Sequence, residues 1–231
     1  MDPRRIIVGG HDFPCNAEVS TWHEHKLQFK PGLGARRRNP KKTPIDLFVT
    51  HVTGGENPPP VLFDVLLGRK DAHGKPTPLG VEFMIDVDGL IWQTCDPYFV
   101  DTFDASFIND RSVGVEIVNY GYVKPGVAPP KRGANRELYE TIIHGEKVTM
   151  ARSNNAQHAA YLALADALTA CELLRIPRRI PRDPSGCLIT QVMTREQIAN
   201  YTGVIGHKDI TTQKLDPGTD VMSTLDFAGY A

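Results

Sequence analysis

The segment FVTHVTGG at residues 48–55 gives the strongest indication of the fold, because it ends an apolar strand with a histidine and a glycine turn. The strand spans residues 45–51 and is followed by turn-forming residues as far as Pro58. A second apolar strand, SVGVEIVN at residues 112–119, alternates so that Val113, Val115 and Ile117 share one face, while Glu116 lies on the other face with Gly114 and Val118. The sequence therefore predicts two buried strands, one ending in a histidine and one carrying a carboxylate.

Six further segments complete the predicted pattern of helices and strands. They are a short helix at 60–67, a hairpin at 81–94 around Asp88-Gly89, a second hairpin at 141–150 around His144-Gly145, a long helix from Asn154 or Asn155 to Pro177, a short helix opened by Thr194 to Gln197, and a strand at 202–207. Strands on both sides of a long helix predict an α/β domain with a central mixed β-sheet flanked by helices.

Composition places the chain among globular proteins. Its 231 residues are 41% hydrophobic and 23% charged, which fits one domain with a substantial core. Lysine and arginine number 26 against 27 acidic residues, so the net charge of -1 provides no overall field that would attract nucleic acid or an anionic membrane. We therefore expect a protein that binds neither nucleic acid nor an anionic membrane and does not insert into a membrane. We also expect it to be a monomer.

The amino-terminal sequence has no apolar run long enough for a signal peptide, and no apolar run elsewhere approaches the length needed to span a membrane. We therefore expect a cytoplasmic protein. Residues 1–44 are predicted to form an irregular extension packed on a domain at 45–231. Within it, five cations at residues 36–42 lack interleaved aromatic side chains, which favours a solvated loop over a nucleic-acid site.

The cysteines are scattered and form no Cys-x-x-Cys pair, so they predict neither a zinc knuckle nor a redox motif. They are Cys15, Cys95, Cys171 and Cys187. Buried free thiols are favoured, with one or two disulfides as the alternative.

Two histidines end predicted strands, His51 and His207, and a segment with acidic residues follows at 208–218. Two neutral imidazoles and one carboxylate suit Zn²⁺, and three protein ligands leave the fourth tetrahedral position open for water. The alternative is that each histidine is simply hydrogen-bonded, since the chain has 8 histidines and many pairs are possible.

Four motifs, in order along the chain, distinguish these two alternatives. They are the segments 48–54, 80–89, 112–117 and 206–218. Together they resemble the zinc-dependent N-acetylmuramoyl-L-alanine amidases that share the peptidoglycan recognition protein fold. The resemblance covers about residues 45–225, with an insertion around 122–150.

The resemblance implies a role for each matching residue. His51, His207 and Asp216 correspond to the zinc ligands, Glu116 to the general base, and Lys214 to the cation that stabilises the oxyanion. The implied reaction is hydrolysis, by zinc-activated water, of the amide between N-acetylmuramic acid and the L-alanine of the stem peptide. Peptidoglycan or muropeptides would be the binding partner. A compact amidase of this kind resembles a phage endolysin, held in the cytoplasm until its release onto the cell wall, or a bacterial relative.

Two positions depart from the family pattern. Glu82 and Asp104 stand where the family usually has histidines that line the groove. Each could contact substrate or replace a structural hydrogen bond. Two other functions stay open: a recognition module that binds peptidoglycan without cutting it, and a zinc amidase acting on an acyl-amino acid outside the cell wall.

Overall fold

The computed structural model describes residues 4–124, 126 and 136–231. The strands are β1 (Arg5–Val8), β2 (His11–Pro14), β3 (Val19–Thr21), β4 (Lys30–Pro31), β5 (Gly34–Arg37), β6 (Leu47–Val52), β7 (Phe83–Ile85), β8 (Ile91–Gln93), β9 (Val100–Thr102), β10 (Ser112–Ile117), β11 (Leu138–Ile143), β12 (Glu146–Ala151) and β13 (Gly203–Gly206). The helices are α1 (Trp22–His25), α2 (Pro59–Leu67), α3 (Asn155–Ala170), α4 (Arg195–Asn200), α5 (His207–Ile210) and α6 (Asp220–Phe227), with a 3-10 helix at Ser106–Arg111.

Six strands form the central sheet in the order β13-β6-β10-β7-β8-β3. The pair β7 and β8 is antiparallel, whereas every other neighbouring pair is parallel. This is the mixed sheet that the sequence predicts. The parallel register places Glu116 of β10 directly beside His51 of β6. Gly206, the last residue of β13, lies beside Thr50.

Helices cover both faces of the sheet, as the alternation in β10 requires. On one face, α3 buries Tyr161, Leu164 and Leu168 against a core that includes Val113 and Val115. On the opposite face, α2 packs its apolar side chains in a cluster with Met84 and Val118. None of the helices in the described residues is both long and apolar enough to cross a membrane.

Local signals in the sequence explain the element boundaries. The Asn154 side chain accepts a hydrogen bond from the Gln157 amide at 2.9 Å and caps α3, as predicted. The helix ends at Ala170, several residues before Pro177, because the chain turns at Cys171. That turn brings the Arg175 amide within 2.7 Å of the Ile45 carbonyl.

The second predicted hairpin is confirmed and is longer than expected. Strands β11 and β12 are antiparallel, and their pairing runs from Leu138 and Ala151 at the open end to Ile143 and Glu146 beside a tight turn. The turn residues His144 and Gly145 have φ angles of 54° and 81°, as a two-residue turn of type I′ requires. The hairpin forms the second half of the expected insertion at 122–150. Positions 125 and 127–135 of that insertion fall outside the described residues.

The amino-terminal segment is more ordered than an irregular extension. It contributes β3 to the edge of the central sheet, and β5 pairs with β9. The expectation of a solvated loop at residues 36–42 is wrong for Arg38, which is buried. Its guanidinium donates to the carbonyls of Asp110 and Ser112 and to the Glu82 carboxylate. The arginine therefore ties the amino-terminal segment to the interior.

The cysteines confirm the preference for free thiols. Cys15, Cys95 and Cys171 are buried and Cys187 is exposed, and all four are free. Burial raises the pKa of the Cys95 thiol well above its ordinary value.

Candidate active site

The side chains of His51, His207 and Asp216 converge at the carboxyl end of the central sheet. His51 lies near the end of β6, His207 begins α5 directly after β13, and Asp216 lies in the loop between α5 and α6. The two Nδ1 atoms are 2.9 Å apart. Asp216 Oδ2 is 3.3 Å from the His207 Nδ1 atom and 3.7 Å from the His51 Nδ1 atom. The fold thus brings His51 next to His207 and Asp216, which lie 156 and 165 positions further along the chain.

This donor set fits a zinc ion. One ligand atom from each residue lies within 4.8 Å of the others. Zinc–ligand bonds of about 2.0–2.1 Å in a tetrahedron separate neighbouring ligand atoms by about 3.3 Å. The three observed separations of 2.9, 3.3 and 3.7 Å bracket that value. The three side chains need only small shifts to bind a metal.

The protonation of these groups also suits a metal. Burial lowers the pKa of His51 to about 4 and also lowers the pKa of His207, so both imidazoles are neutral near pH 7. Burial opposes ionisation of Asp216, but its hydrogen bond with His207 and its electrostatic interactions with the two histidines and Lys214 hold its pKa below the ordinary value. Two neutral imidazoles and one carboxylate are the forms that bind zinc.

The loop that carries Asp216 is fixed at several points. The Lys208 amide donates to the Asp216 carbonyl at 2.7 Å, and the Val52 amide approaches Asp216 Oδ2 at 3.4 Å. The β11–β12 hairpin packs on the same loop, where His144 Nε2 lies 3.0 Å from the Lys214 carbonyl oxygen. The part of the insertion that the structure describes therefore supports the ligand loop, a role that the sequence did not indicate.

Glu116 faces the same cavity, which has a volume of about 160 Å³. Burial raises the pKa of Glu116 to about 8, and repulsion from Asp216 adds to this effect. Its Oε2 atom is buried and has no hydrogen-bond partner among the described residues. When it is ionised, this carboxylate is a stronger base than an ordinary glutamate, and it lies beside the ligand cluster.

Lys214 also lines the cavity and is exposed to solvent. Its charge lowers the pKa of Glu116, partly offsetting the effect of burial. Arg69, which follows α2, also lines the cavity and acts on Glu116 in the same direction. No motif in the sequence marked Arg69, because the loop at 68–80 has no recognisable pattern.

Glu82 and Asp104 differ in their positions relative to this cavity. Glu82 has no exposed surface and accepts hydrogen bonds from the Gly114 amide at 2.7 Å and from Arg38 at 3.3 Å. Of the two roles considered for Glu82, this placement fits the structural hydrogen bond and leaves no surface for substrate. Asp104 lines the cavity, and its Oδ2 atom is 3.3 Å from His51 Nε2. Burial raises the pKa of both carboxyl groups.

Sequence comparison identifies one family. The sequence model of the N-acetylmuramoyl-L-alanine amidase family matches residues 41–219, which include every site residue described above. No curated protein matches the chain at the sequence level.

Several solved structures share the fold, including the following three. A Drosophila peptidoglycan recognition protein, PGRP-SD, has a TM-score of 0.53 at 13% identity, covering 93% of this chain and 96% of its own. The Ph2119 endolysin from a Thermus scotoductus MAT2119 bacteriophage has a TM-score of 0.50 at 18% identity, covering 93% and 100%. A selenomethionine derivative of AmpD has a TM-score of 0.50 at 16% identity, covering 88% and 94%. At these identities the likeness establishes the fold alone.

Proposed function

The chain belongs to the N-acetylmuramoyl-L-alanine amidase family, and on that premise we propose that it is a zinc-dependent peptidoglycan hydrolase. The proposed reaction cleaves the amide between the lactyl group of N-acetylmuramic acid and the L-alanine of the stem peptide. One observation carries this proposal. The donor atoms of His51, His207 and Asp216 converge within 4.8 Å, in a cavity that Glu116 and Lys214 also line.

His51, His207 and Asp216 would hold the zinc ion. A zinc ion at these ligands supplies a Lewis acid that polarises the scissile carbonyl and activates water near neutral pH. The protein contributes a pre-formed site, because the histidines lie at strand ends and Asp216 accepts hydrogen bonds from the Lys208 and Val52 amides.

Glu116 is proposed as the general base. Its ionised carboxylate takes a proton from the attacking water and then delivers it to the nitrogen of the leaving L-alanine. Both transfers favour a group whose pKa lies near the working pH, and burial places the pKa of Glu116 at about 8. A glutamate with the ordinary pKa would be a weaker base at this position.

Lys214 is proposed to stabilise the oxyanion. As water adds, the carbonyl oxygen acquires negative charge, and a fixed ammonium group beside the cavity lowers the energy of that state. The hairpin contact at the Lys214 carbonyl holds its backbone in place while the side chain extends to the cavity.

We further propose an endolysin-like use, in which the protein stays in the cytoplasm until it is released onto the cell wall. Fractionation of producing cells before and after membrane permeabilisation tests this. Enzyme found in the medium of intact cells would contradict it.

Digestion of purified sacculi tests the proposed reaction. Zinc-loaded protein should release peptides with a free L-alanine amino terminus, EDTA should stop the release, and added zinc should restore it. Glu116→Gln should retain zinc and fold but lose cleavage by about 10²–10⁴-fold. Glu196→Gln is the matched control, because Glu196 is an exposed carboxylate on α4, outside the cavity.

Two results would reject the proposal. Sacculus binding by zinc-loaded protein without cleavage would make it a recognition module. Neither binding nor cleavage would direct the search to amides of other acyl-amino acids.

A further inference from the structure

His51 is contacted at both ring nitrogens. Its Nδ1 atom faces His207 and Asp216, whereas its Nε2 atom faces Asp104 Oδ2 at 3.3 Å. The His51 and Asp104 side chains are only 3% and 6% exposed. Both atoms of this 3.3 Å approach are buried, and neither makes a hydrogen bond with any of the described residues. His51 Nε2 and Asp104 Oδ2 are therefore available to form a hydrogen bond with each other.

Gly114 makes room for this contact. A Cβ atom at residue 114 would lie 1.8 Å from Asp104 Oδ2, far inside the van der Waals limit. The Asp104 carboxylate thus occupies space that any other residue at 114 would fill. Glu82 accepts a hydrogen bond from the Gly114 amide. The Asp104 carboxylate packs against Gly114, with its Oδ2 atom 3.3 Å from His51 Nε2.

From this geometry, and building on the proposed function, we propose that Asp104 is a positioning residue for the metal site, accepting the Nε2 proton of His51. When Nε2 carries the proton, the Nδ1 lone pair is free to bind zinc. A carboxylate behind a metal-bound histidine fixes the tautomer and ring orientation and makes the imidazole a stronger ligand. Asp104 thus acts through His51, and its buried Oδ2 atom serves the ligand and not the substrate.

Zinc affinity provides a readout that does not depend on activity. The dissociation constant is measured by competition with a chromophoric chelator, and ligand geometry by the visible absorption of the Co²⁺-substituted protein. Asp104→Ala should weaken zinc binding by about 10–100-fold and alter the Co²⁺ spectrum. Asp104→Asn should weaken it less, because the amide oxygen can still accept the Nε2 proton. Asp110→Asn is the control, since Asp110 is exposed on the neighbouring 3-10 helix.

Gly114→Ala provides an independent test at a different residue. It should displace the Asp104 carboxylate and weaken zinc binding in the same direction as Asp104→Ala. Thermal unfolding in EDTA establishes that each variant is folded. Should Asp104→Ala fail to fold, the zinc affinities of the near-isosteric Asp104→Asn and of Gly114→Ala still test the positioning role.

The outcomes separate this inference from the proposed function. The positioning role alone is overturned if the wild type binds zinc and the Asp104 and Gly114 variants bind it equally well. In that case their zinc dissociation constants lie within about twofold of the wild-type value and their Co²⁺ spectra are unchanged. Failure of the wild-type protein to bind zinc overturns the proposed function and the positioning role together.

Discussion

Replacing Glu116 by glutamine should change how the stability of the metal-free protein depends on pH. Burial raises the pKa of Glu116 to about 8 from an ordinary value of 4.5. The stabilisation that the neutral Glu116 carboxyl group contributes is therefore fully present below pH 4.5. It falls as pH rises and is lost above about pH 8. At about 1.36 kcal/mol per pKa unit, the full difference sets an upper limit near 5 kcal/mol. Since water can enter the cavity, we expect about 2–3 kcal/mol.

The measurement is urea unfolding of wild type and Glu116→Gln in EDTA at pH 5, 7 and 9. The free energy of unfolding of the variant should exceed that of wild type by an amount that grows with pH and levels off near pH 9. Other buried carboxyl groups, such as Glu82, titrate in both proteins, so their contributions to the free energy of unfolding largely cancel when the two proteins are compared. Glu196→Gln should show no such trend. A stability difference that is the same at pH 5 and pH 9 would refute the assignment of Glu116 as a buried, high-pKa carboxyl.

Three further predictions concern the site and its support. Asp216→Ala should lower zinc content, measured by atomic absorption after dialysis, because two histidines alone hold zinc weakly; full occupancy would argue against Asp216 as a ligand. Lys214→Met should reduce the rate of sacculus cleavage by about 10²–10³-fold while zinc stays bound, and an unchanged rate would exclude its oxyanion role. Arg38→Met should lower the free energy of unfolding in urea by about 3–5 kcal/mol, because it leaves Glu82 buried without its cation. Arg37→Met, at an exposed position, should lower it little, and equal losses in the two variants would contradict the buried ion pair.

The sequence predicted the parts of the fold that depend on local patterns. The capped start of α3, the turn at His144-Gly145 and the alternation in β10 each follow from adjacent residues, and the structure confirms all three. Strand register then explains why the predicted ligand and base residues meet, because Glu116 and His51 are neighbours on parallel strands.

Contacts between distant segments were beyond the reach of the sequence. Arg38 belongs to a run of cations typical of a solvated surface, and only the tertiary structure places it against Glu82. The contact between Asp104 and His51 joins residues from different segments, and it depends on the absence of a side chain at Gly114. No periodicity or motif in the sequence encodes these packing relationships.

We propose that the chain hydrolyses one particular amide bond. The most direct test of this proposal is digestion of sacculi by zinc-loaded protein in ¹⁸O-enriched water, followed by mass spectrometry of the glycan and peptide products. We expect one ¹⁸O atom in the lactyl carboxylate of N-acetylmuramic acid and an unlabelled peptide that begins with L-alanine. Label at a sugar hydroxyl or at a carboxylate within the stem peptide would show that a different bond is cut, and would contradict the amidase assignment.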